Sequence, residues 1–221
     1  MFQLFQRPTC PLLRDSSEMN HLKRLQNALE RFAPANTVSG LTKQFEDIAQ
    51  IVFNGRYVVN GEYEIYPIDI EFYFHDEENK SIIEPQMYHV GDVPYFPVGA
   101  ICPNRSGVDM TFEREGKYRA SFLIRGYTYK SLVNNDEKTF TNKASQKLKE
   151  GEIDKFKPQY LWEDLFGNAS IFEKGLSIVW MDNEDFNKVR IMSSARINVK
   201  KIKGEATDRM WRFTNLDADQ Q

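Results

Sequence analysis

The stretch Ile68-Asp69-Ile70-Glu71-Phe72-Tyr73-Phe74-His75 alternates without a break. A period of two belongs to a β-strand, whose successive side chains point to opposite faces. One face collects Ile68, Ile70, Phe72 and Phe74 and belongs on a core. The other gathers Asp69, Glu71, Tyr73 and His75. A solvated strand face more usually carries Lys, Thr, Glu or Ser, so two carboxylates, a phenol and an imidazole in a row read as the lining of a site. A carboxylate on a core-backed strand can act as a general base or stabilise a cation. Either role needs a positioned partner, because a lone buried charge is costly. Arg125, within Phe122-Leu123-Ile124-Arg125-Gly126, is the obvious partner for Glu71, since an arginine in an apolar strand requires an anion. A purely structural pair between strands satisfies the same spacing.

Working outward, residues 17–32 place Met19, Leu22, Leu25, Leu29 and Phe32 at helical spacing, with Ser17 able to cap the start. Leu41, Phe45, Ile48 and Val52 predict a second helix over 41–52. Asn54-Gly55 then turns into a strand at Arg56–Asn60, and Asn60-Gly61 reads as a hairpin turn. Residues 76–106 lack a period and contain Pro85, Pro94, Pro97 and Pro103, which predicts a long loop or broken hairpin. Strands are expected at Val108–Phe112, Ala120–Tyr127, 189–202 and 210–214. The Lys-rich stretch 130–157 reads as loop with one helix at 142–150, and short helices are expected at 160–166 and 170–176. Trp162, Trp180 and Trp211 read as core anchors. The fold class is α+β: one domain over residues 41–215 with a curved, mostly antiparallel mixed sheet and flanking short helices. Residues 1–40 form an N-terminal helical extension, and residues 216–221 a polar tail that frays.

The 221 residues are ample for a sizeable core, and 41% hydrophobic against 28% charged residues exclude general disorder. No apolar run approaches a membrane span, and Met1–Arg14 lacks the continuous apolar core of a signal peptide. Two cysteines, Cys10 and Cys102, make no disulfide framework, so a reducing cytoplasm is the expected location. The net charge of -3 hides an asymmetry. Residues 61–92 hold nine acids and one Lys, whereas 186–212 hold eight basic residues and two acids. The split suits either a local anionic partner or mutual neutralisation across the fold.

Strong motifs for other chemistries are missing. There is no glycine-rich phosphate loop. His21, His75 and His89 show no paired ligand spacing, so no metal and no cofactor is expected. Cys102 stands beside Pro103 with nothing to mark it as a nucleophile.

The order of motifs resembles the alkyladenine (3-methyladenine) DNA glycosylase family. That family's acidic strand, Val-Glu-Thr-Glu-Ala-Tyr, is similar to Ile68-Asp69-Ile70-Glu71-Phe72-Tyr73. Its Val-Leu-Leu-Arg-Ala strand is similar to Phe122–Gly126, and a Met-Asn-Ile-like strand to Val108-Asp109-Met110. Its Ala-Arg-Ile/Val-Gly-Ile/Val, followed by Trp-Arg-Phe, resembles Ala195-Arg196-Ile197-Asn198-Val199 and Met210-Trp211-Arg212-Phe213. Phe45–Val59 resembles the helix and strand that precede the acidic strand. The matches run in order over about residues 41–213.

The resemblance implies a single α/β domain that flips a damaged purine out of double-stranded DNA and hydrolyses its N-glycosidic bond, a base excision repair activity. Glu71 would activate the water, Arg125 would hold Glu71, and Tyr73 would be a stacking wall. His89, with His75 as second choice, would touch the base, Asp109 would line the pocket, and the backbone near Ser193–Ala195, including Ser194, would help hold the water. Arg196, Lys200, Lys201 and Lys203 would meet the phosphates. The departures are specific. Phe72 replaces a small Ala, and Asp109 replaces an Asn. Tyr95–Ser106 shows no recognisable wedge hairpin, although Tyr95, Phe96 or Ile101 could substitute. Gly167-Asn168-Ala169-Ser170 stands where a Gly-Pro-Gly-like segment grips phosphate. Two rivals follow: a catalytically silent relative that binds nucleic acid or protein, and a hydrolase of free nucleosides. Oligomeric state is not legible.

Overall fold

The computed structural model describes residues 23–84, 93–104, 107–134, 137–140, 161, 165–166, 176–197, 199 and 209–218. Two helices, α1 (Arg24–Glu30) and α2 (Val38–Val52), precede the strands. The strands are β1 (Gly55–Val59), β2 (Tyr63–Asp76), β3 (Ile101–Asn104), β4 (Gly107–Thr111), β5 (Tyr118–Ser131), β6 (Glu137–Phe140), β7 (Ile178–Asp182), β8 (Ile191–Ser194) and β9 (Arg212–Asn215). They form one sheet in the order β3-β4-β5-β2-β1-β7, with β6 on β5, and β9 carrying β8 on β2. Every pairing is antiparallel, so the architecture is α+β, as expected.

The long strand β2 organises this sheet. Its whole length lies against β5, from Tyr63↔Ser131 to Asp76↔Tyr118. On its other edge β1 takes the first part, at Tyr63–Ile65, and β9 the middle, at Asp69–Glu71. The β1–β2 hairpin closes as the sequence predicts. Asn60 and Gly61 both have positive φ (53° and 70°) and the Glu62 N–H donates to the Val59 carbonyl. Two successive left-handed residues give a turn whose twist matches the flanking strands.

The alternation of β2 separates the faces. Ile70, Phe72 and Phe74 are buried together with Ala120, Phe122 and Ile124 of β5, Val108 and Met110 of β4, and Phe213 of β9. Helix α2 covers this face. Phe45 stacks on Phe72 at 4.4 Å and meets Trp211 edge-on at 5.1 Å. Its N-terminus lies three residues earlier than the periodicity predicts, because the Thr37 hydroxyl caps it by accepting the Gly40 N–H at 3.1 Å. Leu25 and Leu29 of α1, with Phe32 beyond it, belong to the same core. Phe32 contacts Phe74, Phe112 and Tyr118 through its ring. Residues 24–32, part of the expected N-terminal helical extension, thus pack into the core of the sheet.

Several expectations need correction. Strand β3, within the stretch read as a long loop or broken hairpin, pairs with β4 as the hairpin alternative has it, whereas β6 rises from the Lys-rich stretch and β7 lies where no strand was predicted. Among the described residues of 189–202, the strand runs over Ile191–Ser194. The chain after Asn215 is tied down as far as Asp217, whose carboxylate accepts the Arg190 backbone N–H at 2.8 Å and pairs with its guanidinium at 2.6 Å. Leu161, Leu165 and Phe166 are helical, as predicted for 160–166. The helix expected at 142–150, Trp162 and residues 167–175 lie outside the described residues.

Candidate functional site

Sheet register brings Glu71, Asp109 and Ser194, three of the expected site residues, into one row. Across the strands, Ser194 of β8 lies beside Arg212 of β9, Arg212 beside Glu71 of β2, Glu71 beside Leu123 of β5, Leu123 beside Asp109 of β4, and Asp109 beside Cys102 of β3. Register partners in an antiparallel sheet share a face, so Glu71, Asp109 and Ser194 all project to the side opposite Phe72 and Phe122. Arg125, two residues on from Leu123, and Tyr73, two residues on from Glu71, share that side.

Glu71 has no exposed surface. Arg125 donates to its Oε2 from Nε at 2.8 Å and from Nη2 at 2.7 Å, and the Tyr73 hydroxyl donates to the same oxygen at 3.1 Å. The Ile197 N–H donates to Oε1 at 2.7 Å, while Arg125 Nη2 reaches the Ile197 carbonyl at 3.2 Å. The late segment therefore does approach the carboxylate, but through Ile197 and not through Ser193–Ala195. Among the described residues Oε1 accepts one donor, which leaves it a second lone-pair direction. Burial, and then the Glu71 charge, push the Tyr73 phenol well above its usual range, so it stays protonated and donates.

Beside this cluster, Asp69 accepts a forked pair from Arg212, at 3.0 Å from Nε and 2.5 Å from Nη2. Burial raises the Asp69 carboxyl against the opposing pull of Arg212. Asp109 is buried and accepts the Ser121 hydroxyl at 3.4 Å. The Ser194 hydroxyl is buried without a hydrogen-bond partner among the described residues. Cys102 is buried, and burial, followed by the charges of Asp109 and Glu113, pushes its thiol up to about 11. A thiol so disfavoured as thiolate does not suit nucleophilic chemistry.

His75 and Arg196 take other roles than those expected. His75 Nδ1 accepts the Glu84 N–H at 3.1 Å, which ties it to the chain following β2. Arg196 was expected to meet phosphate, but its side chain is only 4% exposed and pairs with Glu84 at 2.7 Å. Arg209 pairs with the same carboxylate, and Arg212 with Asp69. The two oppositely charged segments thus neutralise each other at these positions. Glu84 and Arg209 escaped sequence reading because neither sits in an alternating run. Tyr95 is not free to act as a wedge either: its hydroxyl donates to Glu77 and its ring lies 3.7 Å from the Arg119 guanidinium. His89, Lys200, Lys201 and Lys203 lie outside the described residues.

Among the described residues no helix is long and apolar enough to cross a membrane, and no three His, Cys, Asp or Glu side chains gather as a metal site. Comparison with protein-family models and with curated proteins finds no match to this chain.

Proposed function

We propose that this protein is a divergent DNA glycosylase, hydrolysing the N-glycosidic bond of a damaged or modified purine flipped out of double-stranded DNA. One observation carries the reading. Arg125, Tyr73 and the late-segment backbone at Ile197, together with Glu71 itself drawn from three separate stretches of sequence, meet at the single buried carboxylate of Glu71. In this reaction the bond between C1′ and the purine nitrogen breaks, its electrons go to the base, and the sugar becomes oxocarbenium-like. Glu71 stabilises that cation and takes a proton from the attacking water, whose oxygen bonds to C1′; the base, leaving with the bonding pair, takes up a proton from solvent, to which Glu71 gives back the one it accepted. Arg125 holds Glu71 aimed. Tyr73 offers its ring to the base. General-base assistance of this kind is typically worth about 10²- to 10⁴-fold, and flipping costs a few kcal/mol, offset by stacking and phosphate contacts.

The second reading, a catalytically silent nucleic-acid-binding relative, is favoured by the full enclosure of Glu71 and the donor already on each of its oxygens. Incubation with duplexes carrying hypoxanthine or ethenoadenine separates the two. The enzyme reading expects free base to be released, with the rate reduced at least about 100-fold in Glu71→Gln. Retention of duplex without release supports the silent relative, and turnover of free nucleosides without duplex affinity supports a nucleoside hydrolase.

A further inference from the structure

The guanidinium of Arg196 lies against two rings, its Cζ 4.9 Å from the centroid of Tyr73 and 5.4 Å from that of Trp211. Arg209 sits on Trp211 at 4.7 Å. Between the two arginines stands Glu84, without exposed surface, at 2.7 Å from Arg196 Nη1 and 3.5 Å from Arg209 Nη1. Arg196 also donates to the Phe72 carbonyl at 3.2 Å, and Arg209 to the Ile83 carbonyl at 2.8 Å. Trp211 is itself immobilised: it is wholly buried, donates from Nε1 to the Thr42 hydroxyl at 3.0 Å and meets Phe45 edge-on. A column of alternating rings and cations therefore runs from helix α2 through Trp211 and Arg196 to Tyr73.

We infer that Arg196 is a positioning residue for the base: it backs one face of Tyr73, fixes the ring as a rigid wall, and directs a planar ligand to the opposite face. The inference rests on the base-binding reading proposed above. Its physical ground is that a desolvated guanidinium is attracted to the face of an aromatic ring. A ring held in place before the ligand arrives loses less freedom on binding than a mobile one. Glu84 supplies the counter-charge that lets Arg196 stay buried at that spot.

The test uses the whole protein, with the fluorescent free base 1,N6-ethenoadenine as binding probe and an ethenoadenine duplex for kinetics. Arg196→Met should weaken probe binding about tenfold and raise KM with kcat largely held. Arg196→Lys, which keeps the charge but loses the flat fork, should fall between wild type and Arg196→Met. Arg209→Met removes a buried arginine from the same carboxylate without touching Tyr73 and should leave probe affinity near wild type. Equal losses in Arg209→Met and Arg196→Met, or unchanged affinity in Arg196→Met, would overturn the inference. A wild type that neither binds the probe nor releases base removes the base-binding reading instead. The clamp is still measured in that case by the rate at which the Tyr73 ring flips in NMR spectra. Faster flipping in Arg196→Met supports the clamp, and unchanged flipping refutes it.

Discussion

At Glu113 a buried carboxylate has, among the described residues, one oxygen engaged and one bare. Oε2 accepts the Phe96 N–H at 2.9 Å and faces Arg119 Nη1 at 3.3 Å, whereas Oε1 meets no partner there. Burial raises its carboxyl above the usual range despite Arg119. An acid with a raised folded-state pKa binds its proton in the folded state first, so its contribution to stability grows as the pH falls from neutral toward the unfolded value of about 4.3. Glu113→Gln should therefore equal or exceed wild type in Tm at pH 7, and the difference between the two should shrink at pH 5. A Tm for Glu113→Gln well below wild type at pH 7 would contradict this. Legibility at this scale is uneven. The Glu71–Arg125 pair could be read because an arginine inside Phe122-Leu123-Ile124 demands an anion on a neighbouring strand. The Arg196–Glu84 pair could not, because neither residue stands in a periodic run and nothing local says which acid will arrive beside which base.

Among the elements, β2, β5 and the Asn60-Gly61 hairpin were legible because alternation and turn chemistry agree there. Strand β7 was not. Ile178 and Trp180 are half-buried while Val179 and Met181 are largely exposed, so apolar residues occupy both faces and no alternation shows. What fixes β7 is its register against β1, where Gly55 stands opposite Asp182. A Cβ at Gly55 would lie 2.3 Å from Trp180 Cζ2. Gly55→Ala should accordingly push the indole off β1 and cost about 1–3 kcal/mol in urea denaturation. The cap on α2 gives a milder case: Thr37→Ala, which removes the acceptor for the Gly40 N–H, should cost about 1 kcal/mol by the same measurement.

For the molecule as a whole, the fold class followed from composition and period. The distribution of charge did not, since the basic late segment supplies internal partners for Asp69 and Glu84. If duplex DNA is bound through Lys200, Lys201 and Lys203, log K should fall with log salt at a slope of roughly -3, losing about 1 for each lysine neutralised. A much steeper slope would mean that other cations share the work. Acid stability should turn over. Burial alone would lift the Asp76 carboxyl, but the Ser81 hydroxyl and the N–H groups of Asn79 and Ser81 outweigh it and hold the group low. Asp217 is held low by the Arg190 N–H and guanidinium. Their stabilisation is complete above about pH 3.9 and disappears as the pH falls through the depressed values, so Tm should drop steeply only below about pH 4.

Asp69 pairs with Arg212, Glu71 with Arg125, and Glu84 with both Arg196 and Arg209, so three buried acids are matched to four arginines. Drift at such a surface is constrained to travel in couples. A lineage that discards one of these acids strands a cation away from water, and the matching arginine must change before or alongside it. Relatives of this chain should therefore differ at these seven positions by compensated swaps, and reciprocal charge reversals such as Asp69→Arg with Arg212→Asp should recover more than either half alone.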